Sequence, residues 1–332
     1  MTGFFINLLN WVNNLVGNYG WSIVVFTLLV RMVLLPLDIK SKKSMRAISK
    51  IQPKLQALQK KYANDKDKLN QKTMELYRKE HVSPTAGCLP MLISLPILWI
   101  MFSAMRTVGN EKTIEMLLHM KNTGTLPALQ SWLWIKNVFQ PDSFGATILP
   151  AVNSTLAAVA PSNASSILTA ENIAVVREYL ASAEYSTLAA QLAPASAFNV
   201  VSLNLLFFRP TLLLPNSFAN LFQYGNGLFI LPLLAGASQF LMTTIMNGKQ
   251  SKEQQKAQQE QQQSNPMNSP VMKWFFPIFS VWICATSNAA FSIYWMAANV
   301  IQIVQQLAVN WYFDRQDARA AAAVQDTDEQ HS

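Results

Sequence analysis

Apolar positions in this chain fall in long unbroken runs, not in short alternating patches. Trp21–Leu37 is the first run, and a single charge, Arg31, interrupts it. Gly87–Met105 is the second and ends at Arg106. Gly227–Met246 and Trp274–Trp311 carry no charge from end to end. A membrane-crossing helix needs about 20 apolar residues. As one helix the last run would extend about 57 Å, nearly twice the hydrocarbon thickness, so it must fold back, and Ser287-Asn288 is the natural turn. The pattern predicts an all-α polytopic membrane protein with a five-helix transmembrane core.

Between the runs the pattern changes. Phe5, Leu8, Leu9, Val12, Leu15 and Val16 share one helical face, and Asn7, Asn10, Asn13 and Asn14 lie largely opposite. This predicts an N-terminal amphipathic surface helix. Ile48, Ile51, Leu55, Leu58 and Tyr62 recur at coiled-coil spacing, Asn64-Asp65 reads as a turn, and Leu69, Thr73, Leu76 and Tyr77 form a second stripe. Together they predict a helical hairpin, with a kink at Pro53. Residues 112–120 and 170–192 read as surface helices, 143–169 as loop, and Val200–Leu214 as a surface-lying or re-entrant segment. The Gln/Lys-rich stretch 249–265 reads as a mobile loop.

The expected division is a surface helix at 1–19, spans at 20–39, 86–106, 227–247, 271–287 and 288–313, a hairpin at 40–85, an extended region at 107–226, a loop at 248–270 and a tail at 314–332.

Composition agrees with a membrane protein: 51% of the 332 residues are hydrophobic and 13% charged, too apolar for a water-soluble domain of this size. Charge sets the orientation. Asp38–Thr85 holds 13 Lys/Arg against 5 Asp/Glu, Asn247–Lys273 holds 4 against 2, and Thr107–Asn226 holds 5 against 6. Basic loops stay in the cytoplasm, which places the N-terminus outside and the C-terminus inside. The first residues lack the basic start of a secretory leader and carry no lipobox cysteine.

The chemistry of bond cleavage is missing from the motifs. There is no phosphate-binding loop, no His-Glu-x-x-His and no metal-ligand spacing at Cys88 or Cys284. The four runs contain no Asp or Glu, and His81, His119 and His331 lie outside them. The expectation is a non-enzyme without cofactor or metal. Polar groups in the runs are Thr27, Arg31, Ser94, Ser238, Gln239, Asn299, Gln302, Gln305 and Gln306. They can bind, hydrate and position. A cation at membrane depth costs about 2.5–3.5 kcal/mol on an insertion scale. Arg31 therefore reads as a site waiting for water, carbonyls or an anion from outside the protein. In the hairpin, Lys60, Lys61, Lys66, Lys68, Lys72, Arg78 and Lys79 are a basic surface suited to anionic lipid, ribosomal RNA or a translocation partner; they also serve plain topology.

The segments SIVVFTLLVRMVLLPLDIKSKKSMR, HVSPTAGCLPMLISLPI, LPLLAGASQFLM and PIFSVWICATSNAAFSIYWMAANVIQIVQQ, in that order and with the hairpin after the first, resemble the YidC/Oxa/Alb membrane protein insertases. The likeness covers roughly residues 20–110 and 227–313 and is closest to the Gram-positive type. It implies a five-helix core with a hydrophilic groove open to cytoplasm and lipid. Arg31 matches the groove arginine, and Thr27, Tyr294 and Trp295 match positions lining the substrate path. The expected groove set is Arg31, Thr27, Ser94, Gln239, Tyr294, Trp295, Asn299 and Gln302. The resemblance implies that nascent membrane proteins are inserted and helped to fold in the bacterial plasma membrane. Its implied partners are the Sec translocon, the ribosome, the signal recognition particle receptor and anionic lipid, with the monomer as the working form. This chain departs from the pattern in three places: the turn at Thr286–Ala290, a longer region between the second and third spans, and the lack of a long basic tail. The alternative is a small-anion transporter or channel with Arg31 as its binding site. The runs show no internal repeat to support it.

Overall fold

The computed structural model describes residues 2–81, 89–150, 159–163, 165–202, 211–247 and 270–330. The described chain is mostly helical and divides into two compact units, Met1–Leu29 with Met101–Val304, and Val30–Ile100 with Gln305–Ser332. Cys88 and most of the 248–270 loop lie outside the described residues.

In the first unit, α1 (Thr2–Val16) folds back on the start of α2 (Tyr19–Lys61). Gly17, at φ +77°, ends α1 and donates to the Asn13 carbonyl at 2.8 Å; that left-handed backbone favours glycine. Ile6, Leu9 and Val12 are buried, while Leu15 and Val16 of the expected apolar face are exposed. Two asparagines expected on the opposite, polar face turn instead toward α2. Asn10 accepts from the Tyr19 hydroxyl and Asn13 from the Ser22 hydroxyl, each at 3.1 Å. The buried face of α1 thus carries Ile6, Leu9 and Val12, with the Asn10 and Asn13 side chains bonded to α2.

The next helix, α4 (Leu89–Thr123), follows α3 (Lys66–Lys79) in the chain and does not stop at Arg106. Arg106 is exposed, and Val108, Ile114, Leu117 and Met120 continue the buried side beyond it. The stretch at 112–120, expected as a separate surface helix, is the end of this one. Ile114, Leu117 and Met120 form a core with Ile173, Val176 and Tyr179 of α5 (Ala170–Leu180) and with Tyr185 of α6 (Ala183–Leu192). Residues 170–192 are thus half-embedded and not merely laid on a surface. Burial pushes the Tyr185 hydroxyl up to about 12, and it donates to the Pro150 carbonyl at 3.3 Å.

The all-α expectation needs one correction. Phe198–Ser202 (β1) and Thr211–Pro215 (β2) form a two-stranded antiparallel sheet with Val200 opposite Leu213. Residues 203–210 of the apolar run at 200–214 lie outside the described residues, and its two ends pair as strands. Its β-branched and aliphatic residues suit cross-strand pairing. Then come α7 (Phe218–Tyr224), capped by Ser217, and α8 (Ile230–Asn247).

Helix α9 (Pro270–Thr286) packs antiparallel on α8. Phe240 stacks on Trp274 with ring centroids 5.2 Å apart. Gly236 lets the backbones close up: a Cβ there would stand 2.5 Å from Val281 Cγ2 and 3.2 Å from the Pro277 carbonyl. Ser287 and Asn288 separate α9 from α10 (Ala289–Gln330). Asn288 accepts from the Phe291 amide at 3.0 Å, an N-cap bond, and donates to the Met105 carbonyl of α4 at 3.3 Å.

A clip formed by residues 131–142 gathers the starts of three helices. The Ser131 carbonyl accepts from Asn18 at 2.8 Å, just before α2. The Val138 and Gln140 carbonyls accept from the Ala290 and Ala289 amides of α10 at 2.7 and 2.9 Å. The fully buried Asp142 carboxylate accepts from the Phe229 and Leu231 amides at 3.0 and 2.7 Å, and from the Trp134 indole at 3.3 Å. A helix start offers unpaired amides and a positive dipole end, so a carboxylate is at home there.

In the second unit the helix does not end between the span expected at 20–39 and the hairpin expected at 40–85. Helix α2 runs through Pro36 and Pro53 to Lys61. Each proline removes one backbone bond, yet the flanking residues keep the helix going, as membrane helices allow when neighbours satisfy the freed carbonyl. A turn at 62–65 leads into α3, and Asp65 caps it by accepting from the Lys68 amide at 3.0 Å. Lys54 pairs with Glu80 across the hairpin. Helix α10 continues through most of what reads as a tail at 314–332.

Among the described residues one helix, Tyr19–Ile48, is long and apolar enough by length and composition to cross a membrane; Ile230–Ile245 and Trp274–Thr286 are shorter apolar helices.

Candidate functional site

Arg31 lies in the second unit, where α2 and α10 run parallel. Gln305 Nε2 donates to the Arg31 carbonyl at 3.3 Å. Farther along both helices, the Arg46 guanidinium donates to the Asn310 carbonyl at 3.2 Å, to Asp317 at 3.1 Å and to Asp314. It also stacks 5.1 Å from the centroid of the Phe313 ring, and Lys50 reaches Asp317 at 3.4 Å. The apolar pattern missed this cluster because it lies past the end of the last run. Its signal is Asp314 and Asp317, one turn apart on a helix, complementing the basic segment after Asp38.

Arg31 itself is half-buried and forms no ion pair among the described residues. Asp38, two turns on and one residue past the first apolar run, is near enough to feel its charge. On the same helix pair, Ser41 Oγ, Gln305 Oε1 and Gln306 Nε2 are buried with no hydrogen-bond partner among the described residues. An unmade bond at a buried polar atom costs about 1–3 kcal/mol, so three of them on the helix pair that carries Arg31 are unspent polar capacity. Sequence reading named Gln305 and Gln306 and passed over Ser41.

Of the other expected groove residues, Thr27, Gln239, Tyr294, Trp295, Asn299 and Gln302 fall in the first unit. Thr27 is buried, and its hydroxyl donates to the Ile23 carbonyl at 2.6 Å. Asn299, buried on α10, donates to Ser238 of α8 at 3.1 Å, and Ser238 in turn donates to the Ala235 carbonyl at 3.0 Å. Gln239 and Gln302 are half-buried and make no side-chain hydrogen bond among the described residues. Tyr294 and Trp295 stack around Phe291, with centroids 6.2 and 5.5 Å away, and the buried Trp295 indole nitrogen has no hydrogen-bond partner among the described residues. The structure thus joins Asn299 to Ser238, and Tyr294 to Trp295 through Phe291. The side chain of Ser94 lies outside the described residues.

In the hairpin, Lys60, Lys61, Lys66, Lys68, Arg78 and Lys79 are exposed and Lys72 is half-buried. Lys68 pairs with Asp65 at 3.1 Å and Lys72 with Glu75 at 2.7 Å. Bonds from Lys68 hold the Asp65 carboxyl below the usual carboxylate range, and the bond from Lys54 does the same for Glu80. Lys60, Lys61, Lys66, Arg78 and Lys79 form no ion pair among the described residues. No group of three or more His, Cys, Asp or Glu that could hold a metal occurs among the described residues.

The family model described as 60Kd inner membrane protein matches residues 11–189 and 174–316. The chain belongs to this family. It is 42% identical over 149 residues to the membrane protein insertase YidC of Fusobacterium nucleatum, which covers 45% of this chain and 63% of that protein. It is 44% identical over 110 residues to a protein of the same name from Caldanaerobacter subterraneus, covering 33% and 53%. With the one from Polynucleobacter asymbioticus it shares 35% identity over 150 residues, covering 44% and 23%. These alignments span less than two thirds of each relative's length. Ser41, Gln305 and Gln306 lie on α2 and α10, both of which fall largely within the matched residues; the other buried polar atoms without a partner among the described residues are those of Trp132, Gln140, Tyr179 and Trp295.

Proposed function

We propose that the chain is a membrane protein insertase of the bacterial inner membrane, with five spans, its N-terminus outside and its C-terminus in the cytoplasm. The observation that carries this reading is the polar character of the α2 and α10 pair: Arg31 without an ion pair among the described residues, Gln305 bonded to its carbonyl, and Ser41, Gln305 and Gln306 atoms on the same two helices buried without partners among the described residues. Such a pair has the chemistry to receive a polar segment for a short time. A hydrophobic segment of a nascent protein moves along lipid, and its short polar, often acidic, flank is held by Arg31 and by water. That lowers the cost of bringing polar groups to membrane depth. The hydrophobic segment then leaves into lipid, and an acidic flank moves outward with the help of the transmembrane potential.

Thr27, Ser94, Gln239, Tyr294, Trp295, Asn299 and Gln302 complete the proposed substrate-contact set. The exposed hairpin cations are the proposed docking surface for anionic lipid, ribosome, signal recognition particle receptor or Sec translocon. The names of the similar proteins support the insertase reading.

The test is Arg31→Ala in cells depleted of their own insertase, with photo-crosslinkers at positions 27, 31 and 295 on stalled nascent chains. Insertion of acidic-flanked substrates should fall roughly tenfold or more, the equivalent of one charge-assisted hydrogen bond of about 1.5–3 kcal/mol, and the flank should crosslink at position 31. Equal insertion with no crosslink there, or Arg31-dependent anion flux in vesicles of the purified protein, overturns the reading.

A further inference from the structure

The region between α4 and α8 carries an apolar face that the insertase reading does not use. Phe218 and Phe222 of α7 are 83% and 63% exposed. They are four residues apart and so share one face of the helix. On the neighbouring hairpin, Val200 and Leu213 are cross-strand partners and are 67% and 46% exposed. Cross-strand partners point to the same side of a sheet. Hydrophobic residues exposed singly are ordinary, but exposed aromatic and aliphatic pairs on adjacent elements mark a contact surface.

The sequence around them identifies what covers it. From Thr211 to Asn247 there is no Lys, Arg, Asp or Glu, so the uncharged character of α8 extends back through α7 to β2. Five residues, Gly225–Phe229, separate α7 from α8. Even fully extended they reach about 17 Å, which keeps α7 close to the point where α8 begins. Part of that linker is pinned as well: Gly225 bridges to Thr147, and Phe229 stacks on Phe144 with centroids 5.5 Å apart. The rim of a protein partner's site normally brings charged residues as well as polar ones, and this stretch carries no charge.

We propose that α7 and the β1–β2 hairpin are a peripheral membrane contact, with Phe218, Phe222, Val200 and Leu213 seated at the headgroup–acyl boundary of the leaflet in which α8 starts. The contact is that of a short interfacial element whose apolar side chains are immersed by a few ångströms and whose polar side chains, such as Asn220 and Gln223, stay in water. It would hold the α4–α6 domain against the bilayer next to the third span. The inference rests on α8 crossing the membrane.

The experiment uses the full chain in vesicles of phosphatidylethanolamine and phosphatidylglycerol. Cys88 is replaced by Ser, and the buried Cys284 is left in place. Single cysteines at Phe218 and Phe222 carry an environment-sensitive fluorophore. Two controls are labelled in the same way: Leu234, exposed on α8, and Glu178, exposed on α5. The labels at 218 and 222 should emit to the blue and lose intensity when the vesicles contain nitroxide lipids carrying the spin label near the headgroup, whereas the label at 178 should do neither. Quenching at 234 but not at 218 and 222 overturns the proposal and leaves the insertase reading standing. No quenching at 234 removes the membrane premise on which both depend. A blue shift at 218 and 222 that follows protein-to-lipid ratio and ignores nitroxide lipid assigns the face to a second copy of the chain and also overturns the proposal.

Discussion

Asp142 offers the sharpest test of how the helices are held. Its carboxylate is fully buried and pairs with no cation among the described residues. What keeps it charged-side inward is the start of α8, through the Phe229 and Leu231 amides at 3.0 and 2.7 Å. Hydrogen bonds to a charged group contribute about 1.5–3 kcal/mol each, so Asp142→Ala removes about 3–6 kcal/mol, less whatever water recovers by entering the space. Asp142→Asn keeps one acceptor oxygen and the shape and should lose about 1–2 kcal/mol. The space is also tight on the other side, because a Cβ on Gly227 would strike the Asp142 carboxylate; larger replacements at 142 have no room. Amide hydrogen exchange in reconstituted protein reads the effect locally. At Phe229 and Leu231 it should accelerate by roughly 10²–10⁴ in Asp142→Ala, the equivalent of about 3–6 kcal/mol, and by roughly tenfold in Asp142→Asn. If both variants change those amides by less than about threefold, the carboxylate does not hold the helix start and the clip is incidental.

Gly236→Ala places a methyl group 2.5 Å from Val281 Cγ2 and should destabilise the α8–α9 pair by about 1–3 kcal/mol in a thermal melt. Adding Val281→Ala should recover part of that loss, and a double-mutant cycle with no coupling would refute the close approach. In the hairpin, the Glu80 carboxyl is held below its ordinary value by Lys54. A depressed carboxylate contributes stability that is fully present above its unfolded value of about 4.3 and is lost as pH falls through the folded value. Exchange of the α3 amides should therefore quicken on acidification below about pH 4.3, and Glu80→Gln should flatten that contribution.

The helical character of the long runs was legible because burial or lipid exposure on all sides leaves an unbroken apolar signature, and the break at Ser287-Asn288 followed from length alone. Helix ends were not legible. Arg106 and Pro36 look like stops, yet an exposed arginine costs a helix nothing and a lone proline costs one bond. The next buried residues, Val108 and Ile114 after Arg106, decide the matter through packing that no local pattern reports. The core made by Leu117 with Val176 and Tyr185 was hidden for the same reason: each helix alone looks like an amphipathic surface element, and the long separation between them in sequence conceals that the apolar faces meet. Asp142 sits in a Gln-Pro-Asp-Ser stretch that reads as an ordinary turn; its role depends on amides 87 and 89 residues away. At the candidate site, Arg31 announced itself by cost. Ser41 did not, because a serine in a basic segment carries no anomaly until burial removes its partners.

The clip at 131–142 makes each helix it grips a rod fixed at one end. Helix α8 has 18 residues and so extends about 27 Å from its anchored start. A tilt of about 10° about Asp142 would carry its far end through about 5 Å, enough to open or close a gap the width of a side chain, while the bonds at the pivot barely lengthen. The polar contacts that fix the starts of α8 and α10 therefore act as a fulcrum. They confine movement to the opposite ends of the helices and convert small rotations at one boundary into usable displacement at the other.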